Sequence, residues 1–428
     1  MKSIFYIVLL ALLTIGCQNP MEKQQIANPA DYNNYLDTSI KVTLEEAQTT
    51  AEFWSKRLRP DSSGVGDLGP LAGTYEQLFQ QTGDVSFLKS AEKLYLKGTQ
   101  ISANNKDVYI RGLAHNYVSQ HRFKEAYEIL QQSLKGVSNK HQTKLMLFDV
   151  AMEVGDYEAA YEYLKEVTDL SDYNYLIRLS KWSDYKGNLE DAIKYMEKAK
   201  KIADSRDSKP LKIWTYSNLG DYYGHAGRIA DAYRHYLMTL ELQPDNAYVK
   251  KGLAWIVYAQ DGDTNEAHRI LDSVMVNHPL PDYHLFKSEL YEYDGMSAKA
   301  EIEMKTFIET IENGDYGAMY NNYLIEYYAE TAPQKALDLA KKELENRRTP
   351  EVYHLLALAQ LKNDNPELAL QIIQDYVKSK TSEPMALYHS ALVYKANNLY
   401  DDVQPIKEEL EEAAFELGPV LMKEIRQL

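Results

Sequence analysis

A small residue returns along this chain at nearly constant intervals: Ala91, Ala126, Ala160, Ala192, Ala232, Ala267, Ala300, Ala336, Ala369 and finally Val403. The steps between them are 35, 34, 32, 40, 35, 33, 36, 33 and 34 residues. Self-similarity at such a period belongs to a stack of like supersecondary units, each unable to bury its apolar face alone, so that neighbours must stack to make one continuous core. Glycine-containing pairs punctuate the units at Gly83-Asp84, Gly155-Asp156, Gly187-Asn188, Gly227-Arg228 and Gly262-Asp263. Glycine there can take the left-handed conformation that ends a helix, so each pair is read as a turn between two helices.

The unit from Ile213 to Asn246 carries Tyr216, Leu219-Gly220, Tyr223, Gly227, Ala232, Tyr236, Leu240 and Pro244 in order. In these positions it resembles the tetratricopeptide repeat, a helix-turn-helix unit of 34 residues. The resemblance implies an all-α fold, a right-handed α-solenoid superhelix of about ten such repeats. Gly220 and Ala232 are expected to face each other where the two helices cross, and most of the 35 tyrosines are assigned to packing. The stretch from Phe53-Trp54 and Arg57-Leu58 through Leu78-Phe79 and Thr82-Gly83-Asp84 to Ala91-Glu92 is also similar to the opening of long exported bacterial repeat proteins, a likeness that brings no activity with it.

The N-terminus reads as an export signal. Met1-Lys2-Ser3 is followed by an apolar run from Ile4 to Ile15 and then Gly16-Cys17. Twelve apolar positions are too few for a membrane span, which needs roughly 20, and suit a cleaved signal. Cys17, the chain's one cysteine, stands where bacterial lipoproteins carry the lipidated residue; a plain secretory signal is the competing reading. Lipidation implies residence at the cell envelope, with the outer membrane as the expected location and the membrane touched through the N-terminal lipid alone. Loss of residues 1–16 takes the net charge from −16 to −17, and no basic block exists to release counterions from a phosphate backbone, so nucleic acid is not an expected partner. The expected organisation is a signal at 1–16, a flexible tether at 17–40, a capping helix and loop at 41–70, repeats at 71–204 and 211–410, and a capping helix at 411–428. The polar run Ser205-Arg206-Asp207-Ser208-Lys209-Pro210 between the two blocks is the expected hinge.

Chemistry-bearing motifs are sparse. Gly64, Gly66 and Gly69 form a literal G-x-G-x-x-G, but a dinucleotide site needs a preceding β-strand and a helix with Arg59-Pro60 stands there. The ten histidines show no H-E-x-x-H, and without a second cysteine or a G-x-S-x-G no nucleophile is set up. The chain is read as a non-enzyme, with no cofactor and no metal. What remains is a concave groove, which in tetratricopeptide proteins is lined by recurring positions of each first helix. Transferred to this chain, those positions are Arg111, His115, Lys181, Asp184, Tyr185, Trp214, Ser217, Asp221, His225, Trp255, Tyr258, Asn321 and Tyr328, the expected contacts of a protein or peptide partner. Ser217 and Asp221 stand where a chaperone-tail clamp would need Lys and Asn, so that role is not expected. The alternative is a surface lipoprotein that captures a glycan or small ligand by stacking it on exposed aromatic rings.

Overall fold

The computed structural model describes residues 25–58, 64–104, 106–136 and 139–428; the signal and Cys17 lie outside them. Every regular element among the described residues is helical. A short α1 (Pro29–Tyr32), a 3₁₀ turn (Asn33–Leu36) and α2 (Val42–Arg57) lead into ten antiparallel hairpins. These are α3 (Val65–Thr82) with α4 (Ser86–Ile101), α5 (Lys106–Ser119) with α6 (Phe123–Ser133), α7 (Lys140–Val154) with α8 (Tyr157–Glu166), α9 (Tyr173–Tyr185) with α10 (Leu189–Ser205), and α11 (Lys209–His225) with α12 (Ile229–Leu242). The series continues with α13 (Ala247–Ala259) and α14 (Thr264–Met275), α15 (Asp282–Tyr293) and α16 (Ser297–Asn313), α17 (Asn321–Thr331) and α18 (Pro333–Asn346), α19 (Pro350–Lys362) and α20 (Pro366–Tyr376), and α21 (Pro384–Ala396) and α22 (Tyr400–Glu412). A last helix, α23 (Ala414–Ile425), breaks its ladder at Gly418 (φ 76°, ψ 162°).

The glycine turns form as expected, with positive φ at Gly83, Gly155, Gly187, Gly227 and Gly262. Acceptors just beyond several of them cap the next helix: Asp156 takes the Ala159 amide at 3.2 Å and Asp263 the Glu266 amide at 2.9 Å, each satisfying a first-turn donor. The recurring alanines are fully buried, from Ala91 through Ala126, Ala160 and Ala192 to Ala336 and Ala369. One expectation changes: the space over Gly220 is taken by the Tyr236 ring, not by Ala232. A Cβ on Gly220 would fall 2.3 Å from that ring, and one on Gly252 would meet its other edge at 2.7 Å. Glycines of two successive first helices thus make a slot for one tyrosine, and Gly112 serves Tyr95 likewise.

Three boundary expectations fail. Residues 25–40 are not a tether: Tyr32 is fully buried and its hydroxyl donates to Glu266 at 2.8 Å, while Asp261 accepts the Ile26 and Ala27 amides at 2.8 and 2.9 Å. This strap lies across α12 and α14, and Thr43 closes it on Asp245 at 2.6 Å. The loop expected up to Pro70 instead becomes helix at Val65, because Leu68 and Leu71 are buried and tertiary packing outweighs the low helix propensity of its glycines. Nor is 205–210 a hinge. The extra residues lengthen α10 and α11, and one apolar core runs across them, from Leu176 and Ile193 to Leu219 and Leu253.

The coil also touches itself. The turns of the first three hairpins reach the ends of later ones: Gly83 lies against Leu280, Asn346 donates to the His121 carbonyl at 2.8 Å, and the Arg348 amide donates to the Val154 carbonyl at 3.2 Å. Arg347 adds a stack over Phe123, 5.3 Å from its centroid.

Candidate binding site

First helices of the sixth to tenth hairpins turn their inner faces toward a cavity of about 1100 Å³. Its apolar wall includes Trp255, Phe286, Met304, Met319 and Leu355. The far side is closed by the chain's own end, since Leu417, Val420, Leu421 and Glu424 of α23 also line it. The terminal helix is therefore more than the solvated cap expected at 411–428. Trp255 Nε1 donates to the Phe415 carbonyl at 2.9 Å, His225 Nδ1 meets Glu416 at 2.6 Å, and the Tyr388 hydroxyl reaches Glu424 at 2.8 Å. Gly418 allows this seating, because a Cβ there would fall 2.7 Å from Glu289 Oε1 and 2.9 Å from the Trp255 ring.

Nine carboxylates line the cavity against two fixed cations, Lys251 and Arg347. Both cations are already paired, Lys251 with Asp282 at 2.5 Å and Arg347 with Glu343 at 3.2 Å. The surplus shows in the carboxyl groups. Burial pushes Glu289 up to about 7 against the Tyr258 hydrogen bond; burial and the charge of Glu383 push Glu326 up to about 7; burial with Glu416 and Glu351 does the same to Glu383. Burial opposes the charging of His225, but its bond to Glu416 and the nearby Asp184 and Asp221 overcome that and raise it to about 9. His354, on the wall, shares a buried 2.8 Å contact between Nδ1 atoms with His389, so one ring donates and the other accepts. Burial holds His354 well below its ordinary value and His389 at about 3.

These shifts give a pH prediction. Groups raised on folding stabilise the fold below their unfolded pKa and lose that effect as the pH rises through the folded value. For the three glutamates the loss runs from 4.5 through about 7, and for His225 from 6.5 through about 9. Hydrogen-exchange protection of residues 413–425 should therefore drop on the order of tenfold between pH 6.5 and 9, and Glu416→Gln should flatten the upper part of the curve. Constant protection over that range would refute it. The neutral His354–His389 pair acts in the opposite sense, its contribution present above 6.5 and lost as the pH falls.

The thirteen groove positions expected from sequence separate clearly. Trp255 faces the cavity, and His225 stands at its rim with Asp184 nearby. Tyr258, Asn321, Tyr328 and Ser217 are buried and bonded to Glu289, Glu343, Glu312 and the Trp214 carbonyl; Tyr258 and Tyr328 tie neighbouring repeats, Asn321 ties its own hairpin, and Ser217 bonds within its own helix. Asp221 accepts the Tyr236 and Tyr248 hydroxyls at 2.7 Å each, a packing role. Arg111 reaches Thr143 at 3.4 Å, His115 pairs with Glu76 at 3.4 Å, and Lys181 with Glu153 at 2.8 Å; none of the three is a lining residue of the cavity. Trp214 is exposed, and Tyr185 stacks on Tyr157 in a separate cleft. Sequence reasoning missed Glu289 and Glu326. The signal was available, because the register through Asp184, Asp221 and Trp255 falls on these two residues in the next repeats.

Residues 185–245, spanning α10, α11 and α12, match the tetratricopeptide repeat family model. No curated protein matches the chain. Among solved structures, a human IFIT1 dimer with PPP-AAAA is similar at 17% identity over 68% of this chain and 71% of its own, with a TM-score of 0.37. Yeast Tom70 is similar at 13% identity over 94% of this chain and 100% of its own, with a TM-score of 0.36. Likenesses at these scores carry no argument about ligand or partner.

Proposed function

We propose that this chain, whose residues 185–245 match the tetratricopeptide repeat family model and whose fold suits a binding scaffold, holds a short segment of a protein partner in the central cavity. The observation that carries this is the lining: an apolar wall joined to carboxylates that have no free cation to answer them. A segment pairing a lysine or arginine with an apolar neighbour matches both. The volume suits a few residues, since ligand sites run from roughly 300 to 1,000 Å³. The work is binding and orientation; no nucleophile or metal is assigned a role in it.

The place of action in this proposal is the bacterial cell envelope, with the chain held by lipid on Cys17. Palmitate labelling in cells should vanish in Cys17→Ser; undiminished label would remove the anchor from the proposal. For the cavity, a photo-crosslinking amino acid in place of Met319 should capture a defined protein in cells. That adduct should disappear when Glu326→Lys or Glu383→Lys reverses the wall's charge. The same adduct in both charge reversals would place the partner elsewhere.

A further inference from the structure

Where Gly155 meets Arg348 lies a second cleft, of about 500 Å³, that shares no lining residue with the cavity. One wall comes from the α7–α8 turn and the end of α9, the other from the start of α19 and the α20–α21 connection. The cleft exists because the coil meets itself there, with Gly155 against the Arg348 carbonyl.

Its chemistry departs from the rest of the molecule. In a chain of net charge −16, the lining holds Lys186, Arg348 and Lys380 and no carboxylate. Two pairs of stacked tyrosines flank these cations: Tyr157 and Tyr185 at 4.3 Å and 20°, Tyr353 and Tyr376 at 4.1 Å and 8°. The first pair continues through Trp182 to the exposed Tyr161, a ladder of rings 5.3 Å apart. Ser379, Thr381 and Ser382 supply hydroxyls along the rim. Glu351 accepts from Thr381 at 3.2 Å and belongs to the cavity lining.

We propose that this cleft binds an anionic sugar, a uronic-acid oligosaccharide, with its rings against the tyrosines and its carboxylates on Arg348 and the two lysines. A flat ring face gains from an aromatic wall, and a guanidinium binds a carboxylate through two parallel hydrogen bonds. The lining contains no asparagine, glutamine or carboxylate side chain, the groups that pair with the edges of adenine and cytosine. It does contain the hydroxyls that a polyhydroxylated ring can use. Lys186 stands 6.0 Å from the Tyr185 ring centroid, which leaves it able to turn toward a ligand; Lys380, 5.6 Å from the Tyr376 centroid, also donates to the Asp375 carbonyl and exchanges that bond for a ligand carboxylate.

The test is calorimetric titration of the full chain with a galacturonic acid hexamer, beside a neutral galactose hexamer and adenosine monophosphate. The acidic hexamer is expected to bind; Arg348→Gln and Lys380→Gln should each weaken it by about tenfold, the value of one charge-assisted bond, and Tyr376→Ala by up to about tenfold through the lost ring face. All three side chains are exposed, and an unchanged melting temperature in each variant confirms that the fold is intact. Absence of binding by the parent chain at millimolar concentrations, or equal binding by the three variants, overturns the site. Equal binding of the neutral hexamer, or tighter binding of the nucleotide, overturns the ligand class. Because the two sites share no residue, either outcome leaves the cavity reading to its own test.

Discussion

Gly155→Val is expected to part the two layers of the coil. Gly155 sits at φ 84°, where a residue with a Cβ costs roughly 1–2 kcal/mol, and its Cβ would lie 2.4 Å from the Arg348 carbonyl oxygen. That obstacle is backbone and cannot rotate aside. Relief requires the α7–α8 turn to move off the start of α19, which also breaks the Val154–Arg348 hydrogen bond. Together these should destabilise the closed form by about 3 kcal/mol. Each hairpin still packs on its neighbours, so far-ultraviolet circular dichroism should hold while the radius of gyration from X-ray scattering rises. A scattering curve superimposable on that of the parent would show that the contact does not hold the shape.

Gly418→Val should release the terminal helix. At φ 76° and ψ 162° the backbone is in a region essentially confined to glycine, worth of order 1–3 kcal/mol in strain for any other residue. The new side chain would also press on Glu289 and Trp255. With α23 undocked, Trp255 loses the Phe415 carbonyl and His225 loses Glu416. Tryptophan emission should shift to the red, and exchange protection over 413–425 should fall on the order of a hundredfold. Retained protection with a blue emission maximum would mean that the segment is held by Met422 and Ile425, which cluster with Leu410, independently of the inner face.

The repeat was legible because its determinants are local: a small residue where helices cross, a glycine where one ends. What stayed hidden depends on residues far apart in the chain. Gln18 to Tyr35 looks unable to build a core, and by itself it cannot; Tyr32 is ordered by Glu266 and Ala27 by Asp261. The groove was read as if every first helix faced open space, which suits Trp255. It fails for Tyr258 and Asn321, which are buried, the first bonded to Glu289 of the next repeat and the second to Glu343 of its own hairpin. Tyr185 was singled out for an inner surface and stands in a cleft made by a turn that sequence spacing does not reveal.

The contact of Gly155 with Arg348 also bears on how such a chain can change its length. An open stack tolerates the gain or loss of one unit, because every interface is with the adjacent repeat. Here the third hairpin must arrive opposite the junction of the eighth and ninth. An added unit between them would shift the approach by a whole hairpin and leave the facing turns out of phase, so the count of repeats between those points is fixed by geometry, like the number of teeth on a meshed gear.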